Sequence, residues 1–199
     1  MVAAYENLTR DRRLKHIYNL CDFELRARKL LPKALAEYVF GGVEDNTTLA
    51  NNRRQFDDHT LLTRVLSDVS ARHTGHTLFG QIYTAPFGIA PVGVSALIAF
   101  NGDNVMASAA YKLGVPMILS GSSLTRLEEV KQHHPQGWFQ AYWPGQPDLQ
   151  DALIERVAAA GIDTLVITVD IPVWANRENN MRAGCSLPLR PCWSLVVDG

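Results

Sequence analysis

Small and polar groups stand at the ends of several apolar runs, and their types point to a binding site. They are the backbone of Ala90, Pro91, Val92 and Gly93, and the side chains of Ser120, Gln140, Tyr142 and Thr168. Serine, threonine and glutamine each donate and accept hydrogen bonds, and a tyrosine offers a phenol and an aromatic face. The set suits a flat ligand with several hydrogen-bonding atoms. Each residue could instead only satisfy a strand end, because buried polar side chains mostly bond to nearby backbone.

A repeating pattern of strands and helices carries these groups. Apolar runs at 83–90, 115–119, 138–143 and from residue 164 onward alternate with helical patterns at 103–113, around 128–130 and at 148–160. This alternation predicts an α/β fold with right-handed βαβ units and a parallel sheet. Parallel strands present their carboxyl ends on one side, so the polar groups converge there. A barrel and an open doubly wound sheet fit the pattern equally well.

The stretch from Thr164 to Glu178 shows the pattern most clearly. Its first half is β-branched and apolar, which predicts a strand buried on both faces. Thr168 and Asp170 interrupt the run at its carboxyl end, before Pro172 ends the strand and Arg177 follows. Asp170 could support the site or simply close the strand.

The residues before the first run predict helices and loops. We expect two short helices between residues 22 and 40 that meet at Pro32, with Gly41 and Gly42 ending the second in a left-handed conformation. A third helix is expected within 44–56, capped by Asp45 or Asn46, and a loop at 57–79 with one short strand at 61–65. The predicted organisation is an extension at 1–82, the strand-helix region at 83–178, and a following loop at 179–199.

Composition excludes several classes of protein. The 199 residues are 47% hydrophobic with a net charge of -1, which favours one globular domain and gives no pull toward nucleic acid. Cys21, Cys185 and Cys192 have neither disulfide nor metal-ligand spacing, so we expect no metal and a cytoplasmic location. No GxGxxG or GxxxxGK[ST] motif follows a predicted strand, which removes support for dinucleotide and P-loop sites.

Several motif blocks occur in a fixed order between residues 20 and 180. They are Leu31-Pro32, Tyr38 to Asp45, Thr48-Leu49 with Asn52-Arg53, Ile89-Ala90-Pro91, Leu119-Ser120, Glu128-Glu129-Val130, Phe139 to Tyr142, and Thr168 to Pro172 with Arg177. In order and spacing they resemble the FMN-dependent α-hydroxy-acid oxidases and dehydrogenases. That family includes glycolate oxidase, lactate oxidase, flavin L-lactate dehydrogenase and mandelate dehydrogenase.

The resemblance implies a TIM (β/α)8 barrel with FMN at its mouth. The backbone of Ala90 to Gly93 would lie against the isoalloxazine ring, and Ser120, Gln140 and Thr168 would meet its polar edge. Tyr38 and Tyr142 would hydrogen-bond the substrate, and Arg177 would help place its carboxylate. The implied reaction is oxidation of an L-2-hydroxy acid of the lactate, glycolate or mandelate type to the 2-oxo acid. Oxygen, a quinone or a cytochrome would accept the electrons, and the full-length enzyme would be a homo-oligomer.

The resemblance covers about four of the eight strands. The family's catalytic histidine, a lysine and an arginine of the active site, and the phosphate-binding loops belong to the other half. We therefore expect no catalytic base here and little activity from the isolated chain. Residues 179–199 would begin a lid, which in some members meets a membrane, so peripheral contact at the inner face of a membrane is a further expectation. Two alternatives are an interaction module that needs a partner chain to complete the barrel, and another parallel-barrel flavoprotein.

Overall fold

The computed structural model describes residues 14–170 and 173–184. Predictions about residues 1–13, 171–172 and 185–199, among them those for Pro172, Cys185 and Cys192, lie outside the described residues. The elements in chain order are α1 (Leu20–Leu30), α2 (Lys33–Phe40), α3 (Thr47–Arg54), a 3-10 helix (Gln55–Asp58), β1 (His76–Leu78), β2 (Gln81–Tyr83), α4 (Ser95–Ile98), α5 (Gly102–Leu113), β3 (Ile118–Ser120), α6 (Leu127–His133), β4 (Trp138–Tyr142), α7 (Pro147–Ala159), β5 (Leu165–Thr168) and α8 (Glu178–Arg182).

The described residues form two compact units, and the first contains 14–61 together with 175–184. Its helix α1 begins at a capping box in which the Asn19 side chain accepts from two backbone amides and Asp22 accepts in return from the Asn19 amide. Pro32 is the N-cap of α2, so the prediction of two helices meeting at this proline is confirmed.

The residues that follow α2 differ from the prediction. Gly41 has φ -77 and ψ 146, an extended conformation, so the left-handed ending was wrong. A side chain at this position would clash with its neighbours, because a Cβ at Gly41 would lie 2.5 Å from the Glu37 carbonyl oxygen and 3.0 Å from the Asn179 Cβ. Asn46 is the N-cap of α3, but its Oδ1 accepts from the Gly42 amide and from Asn179 Nδ2 instead of capping the helix.

The second unit contains 62–170 with 173–174. Its three-stranded sheet has the order β3-β4-β5, all parallel, and a parallel bridge between Ile89 and Met117 adds a fourth position beside β3. The long strand predicted at 83–90 is wrong, because β2 ends at Tyr83 and only Ile89 pairs with the sheet. Pro86 lies between Tyr83 and Ile89. It has no backbone N–H and cannot donate a hydrogen bond to a neighbouring strand.

A β-hairpin occupies the region predicted to be a loop. Strands β1 and β2 pair antiparallel around Phe79 and Gly80, whose φ values of 50 and 78 give the two-residue turn that suits hairpin twist. The strand expected at 61–65 is not observed, and Leu61 and Leu62 there are 96% and 89% exposed. An isolated apolar segment gains nothing from an extended conformation unless a neighbouring strand accepts its hydrogen bonds.

The core lies between the sheet and its helices. Leu119, Phe139 and Ala141 pack against residues of α5, α6 and α7, among them Ala107, Val130 and Val157. The prediction that the strand from Thr164 is buried on both faces is wrong, because Ile167 is 40% exposed and Leu165 and Val166 are only half-buried. In the described sheet β5 is an outer strand. No helix in 14–170 or 173–184 combines the length and apolar character needed to cross a membrane.

Candidate functional site

The strand ends of the second unit bring the polar residues together. The register pairs Ser120 with Gln140 and Tyr142 with Thr168. Successive side chains on a strand point to opposite faces, and the alternate residues Leu119, Phe139 and Ala141 lie in the core under the helices. The four polar side chains therefore share the face opposite the helices, at the carboxyl ends of β3, β4 and β5.

Gln140 is the centre of a hydrogen-bond network, which we call the strand-end network. Its Oε1 accepts from the Gly121 amide at 3.1 Å and from Ser120 Oγ at 3.3 Å, and its Nε2 donates to Thr168 Oγ1 at 2.8 Å. The Ser122 amide donates to Ser120 Oγ at 3.1 Å. Gln140 and Ser120 are 2% and 4% exposed, so these bonds are made largely away from water.

The network fixes the orientation of the Gln140 amide. A backbone N–H can only donate, so the atom facing Gly121 must be the amide oxygen, and the nitrogen must face Thr168. One N–H of Nε2 and the hydroxyl proton of Thr168 remain after these bonds are counted. The network can therefore offer donors to a ligand at the strand ends.

The segment from Ala90 to Gly93 lies beside this network. Ala90, Pro91 and Val92 are exposed, and the Val94 amide donates to the Ser122 carbonyl at 3.0 Å. A Cβ on Gly93 would lie 3.3 Å from Ser122 Cβ and 3.9 Å from Ser120 Oγ. Val94 has φ 49, which is strained for a β-branched residue, and such strain is often found at ligand sites.

Tyr142 and Asp170 are the outer residues of this region. Tyr142 ends β4 and is 50% exposed, so its phenol is accessible at the strand end. Asp170 is exposed two residues beyond the end of β5.

Tyr38 and Arg177 belong to the first unit. Arg177 Nη2 donates to the carbonyl oxygens of Tyr38 and Gly41 at 2.7 and 2.8 Å, and the guanidinium carbon lies 5.1 Å from the centroid of the Tyr38 ring. Among the described residues, the buried Nε of Arg177 has no hydrogen-bond partner. A guanidinium binds a carboxylate at two points through Nη2 together with either Nε or Nη1. Both hydrogens of Nη2 are already bonded to the two carbonyls here. A carboxylate could reach Nη1 by a single bond, or exchange with one of the carbonyls.

The Glu128-Glu129 block joins helices of the second unit. Glu128 accepts from Arg156 Nε and Nη2 at 2.9 and 3.1 Å, and the bonds from Arg156 lower the pKa of the Glu128 carboxyl to about 2. Glu129 accepts from Asn104 Nδ2 at 2.5 Å. Both glutamates thus hold α6 to a neighbouring helix.

Sequence reasoning missed Asp103, which is 1% exposed and accepts from Ser123 Oγ and Thr125 Oγ1. A signal was available, since an acidic residue in the first turn of a predicted helix is favoured by the helix dipole. Its partners lie 20 and 22 residues away in sequence, so the pairing itself was not readable.

Comparisons with known proteins agree on one family. The profile of the FMN-dependent dehydrogenases matches residues 27–199. A putative L-lactate dehydrogenase of Mycobacterium tuberculosis is 37% identical over 192 residues, which are 96% of this chain and 46% of that protein. An L-lactate oxidase of Lysinibacillus sphaericus is 33% identical over 81% of this chain and 42% of that protein.

Solved structures give the same result. A monotopic membrane protein, (S)-mandelate dehydrogenase, superposes with a TM-score of 0.85 at 28% identity, covering 92% of this chain and 49% of that one. A mandelate oxidase variant bearing an FMN adduct gives a TM-score of 0.79 at 29% identity, covering 88% of this chain and 56% of that one. The chain spans about half the length of the curated relatives it matches, and its parallel strands form part of a TIM barrel. It therefore belongs to the FMN-dependent dehydrogenase family, whose cofactor is FMN.

Proposed function

We propose that this chain supplies the half of an FMN-dependent L-2-hydroxy-acid oxidoreductase that binds the polar edge of the flavin ring. The observation that carries the proposal is the strand-end network, in which Gln140 is held between Gly121, Ser120 and Thr168. Related proteins named as lactate and mandelate dehydrogenases or oxidases support the substrate class.

The residues present fit the flavin ring. Its polar edge carries carbonyl oxygens and ring nitrogens, and the network has a free Nε2 hydrogen on Gln140 and a free hydroxyl proton on Thr168 to meet acceptors. The exposed backbone from Ala90 to Val92 offers a side on which a flat ring could rest. When bound, FMN accepts the two electrons that leave the substrate carbon.

The residues of this chain bind and orient the flavin ring and the substrate. Gln140 and Thr168 hold the ring edge, and Tyr142, half exposed at the end of β4, hydrogen-bonds the substrate. From the sequence resemblance we also assign a substrate hydrogen bond to Tyr38 and the carboxylate to Arg177. No base is assigned in this chain, and we expect the 199-residue chain alone to show little turnover.

Reconstitution tests the proposal. The chain is co-expressed with the remaining part of the M. tuberculosis relative, and the product is assayed for bound FMN and for oxidation of L-lactate, glycolate and (S)-mandelate with a dye acceptor. We expect FMN to co-purify and to bleach anaerobically with at least one L-acid but not with D-lactate. Tyr142→Phe should slow bleaching, because it removes a hydrogen bond to the substrate. Tyr111→Phe, at an exposed tyrosine on α5, is the matched control. An FMN-loaded complex that none of these acids reduces would contradict the proposal.

A second candidate function is association with a complementary half-barrel. Its supporting observation is an apolar groove of about 400 Å³ on the second unit, lined by residues such as Leu78, Tyr83, Ile118 and Trp138. The outer strand β5 adds an edge that can accept another parallel strand. This function predicts a stable one-to-one complex with the remaining half even without FMN, whereas a complex that forms only with FMN would favour the first proposal alone.

We also propose a cytoplasmic location with peripheral membrane contact. One matched structure, described as a monotopic membrane protein, supports the membrane contact. Co-sedimentation of the reconstituted protein with anionic vesicles would test the contact, and recovery of all protein in the supernatant would contradict it.

A further inference from the structure

Asp103 is a buried carboxylate in the second unit. It lies in the first turn of α5 and is 1% exposed. A buried charge is costly unless hydrogen bonds or dipoles compensate it. The helix dipole at the amino end of α5 stabilises the negative charge, and two hydroxyls donate hydrogen bonds to it. Among the described residues, none of the ion pairs includes Asp103.

The two hydroxyls belong to the turn that follows β3. Ser123 Oγ donates to Asp103 Oδ2 at 2.8 Å, and Thr125 Oγ1 donates to the same oxygen at 3.2 Å. Ser123 Oγ also accepts from the Thr125 amide at 2.9 Å, which closes the turn on itself. The carboxylate thus fixes the far end of this turn to the start of α5.

The near end of the same turn is part of the strand-end network. The Ser123 amide donates to the Ser120 carbonyl at 3.0 Å, so the position of Ser123 constrains the two residues between them. Those residues supply the Gly121 amide that binds Gln140 Oε1 and the Ser122 amide that binds Ser120 Oγ. Moving Ser123 would shift both donors.

We infer that Asp103 is a positioning residue: by holding the turn at 120–125 it sets the orientation of the Gln140 amide and hence the donors offered at the strand ends. The consequence for flavin binding rests on the proposed function. The consequence for the network does not, because it concerns contacts within the chain itself. Among the described residues, the hydrogen bonds of Asp103 go to Ser123 and Thr125 and not to Gln140 or Thr168, so it acts through the turn.

Amide hydrogen exchange in the flavin-free chain tests the inference. We expect Asp103→Ala to speed exchange of the Gly121 and Ser122 amides by about tenfold, the effect of one ordinary hydrogen bond. The side-chain amide signals of Gln140 should shift in the same variant. The Phe139 amide, which donates to the Thr164 carbonyl inside the sheet, should keep its rate. Thr125→Val removes one donor without touching the carboxylate and should give a smaller effect of the same kind.

Asp148→Asn is the matched control, because Asp148 occupies the same second position of its helix, α7, but is exposed. It should leave Gly121, Ser122 and Gln140 unchanged. Unaltered exchange at Gly121 and Ser122 in folded Asp103→Ala, or in Thr125→Val if the alanine variant does not fold, would overturn the inference. In the reconstituted protein, Asp103→Asn should also raise the FMN dissociation constant. If the wild-type protein binds no FMN, the proposed function fails, while the exchange rates still decide the role of Asp103.

Discussion

Replacing Gln140 with methionine tests whether the strand-end network binds a ligand or only stabilises the fold. Methionine matches glutamine in length and flexibility, so the change removes hydrogen bonds with little change in packing. Three partners lose their bond, namely Ser120 Oγ, the Gly121 amide and Thr168 Oγ1.

The three losses differ in size because the partners differ in exposure. Ser120 is 4% exposed, so water cannot easily replace its acceptor and the loss costs about 1–3 kcal/mol. Gly121 is exposed and Thr168 half-buried, so water can bind both and together they add about 1 kcal/mol. The sum is about 2–4 kcal/mol. For a chain of this size that lowers the unfolding temperature by about 4–16 °C.

The assay combines thermal unfolding followed by circular dichroism with FMN titration of the reconstituted protein. Gln140→Met should show the fall in unfolding temperature and at least an approximately tenfold weaker FMN affinity, about 1.4 kcal/mol. Gln150→Met is the control, because Gln150 makes one side-chain bond, to the Pro144 carbonyl at 2.7 Å. It should lose less stability and keep its FMN affinity. A destabilised Gln140→Met that binds FMN normally would refute the assignment of Gln140 to the flavin, and an unchanged unfolding temperature would refute the energetic reasoning.

Two further predictions concern other contacts. Arg177→Met should free the Tyr38 and Gly41 carbonyls and loosen the end of α2, so the Gly41 amide should exchange faster, whereas Arg182→Met, at an exposed arginine on α8, should not change it. Equal Gly41 rates in the two variants would contradict this role. Glu128 has a pKa lowered from 4.5 to about 2 by Arg156, so its contribution to stability is complete above pH 4.5 and is lost as pH falls toward 2. The difference in unfolding temperature between wild type and Glu128→Gln should therefore stay constant from about pH 7 to 5 and vanish near pH 2. A difference that persists at low pH would exclude the ion pair as its cause.

The sequence predicted most of what depends on neighbours along the chain. The helices at 20–40, 102–113 and 147–159 follow from apolar spacing, and the two within 20–40 also from Pro32, which acts locally. The polar ends of β3, β4 and β5 were readable because each follows an apolar run, and parallel strands present their carboxyl ends on one side of a sheet. The turn at Phe79 and Gly80 was missed because a phenylalanine at positive φ carries no common turn signature.

Features that depend on distant parts of the chain were not readable. The two carbonyls that bind Arg177 Nη2 lie 139 and 136 residues before it, and no local pattern shows that both of its hydrogens are taken. The exposure of β5 was missed because a continuous apolar run predicts burial only if both faces are covered, and in the described sheet Ile167 stays 40% exposed. Local chemistry thus predicts the residue types at the candidate site, whereas tertiary contacts decide which of their atoms are free.

The direction of the hydrogen bonds in the strand-end network decides which donors it offers to a ligand. The Gly121 amide donates to Gln140 Oε1, and Gln140 Nε2 donates in turn to Thr168 Oγ1. A lone pair of the Thr168 oxygen is therefore used, and its proton must point elsewhere. Among the described residues no acceptor receives that proton. Gln140 is 2% exposed whereas Thr168 is half-buried, so the chain of donors ends at the more accessible side chain. The free proton of Thr168 can therefore meet an acceptor, such as a carbonyl oxygen or an unprotonated ring nitrogen of a flavin, and its second lone pair can accept from one further donor.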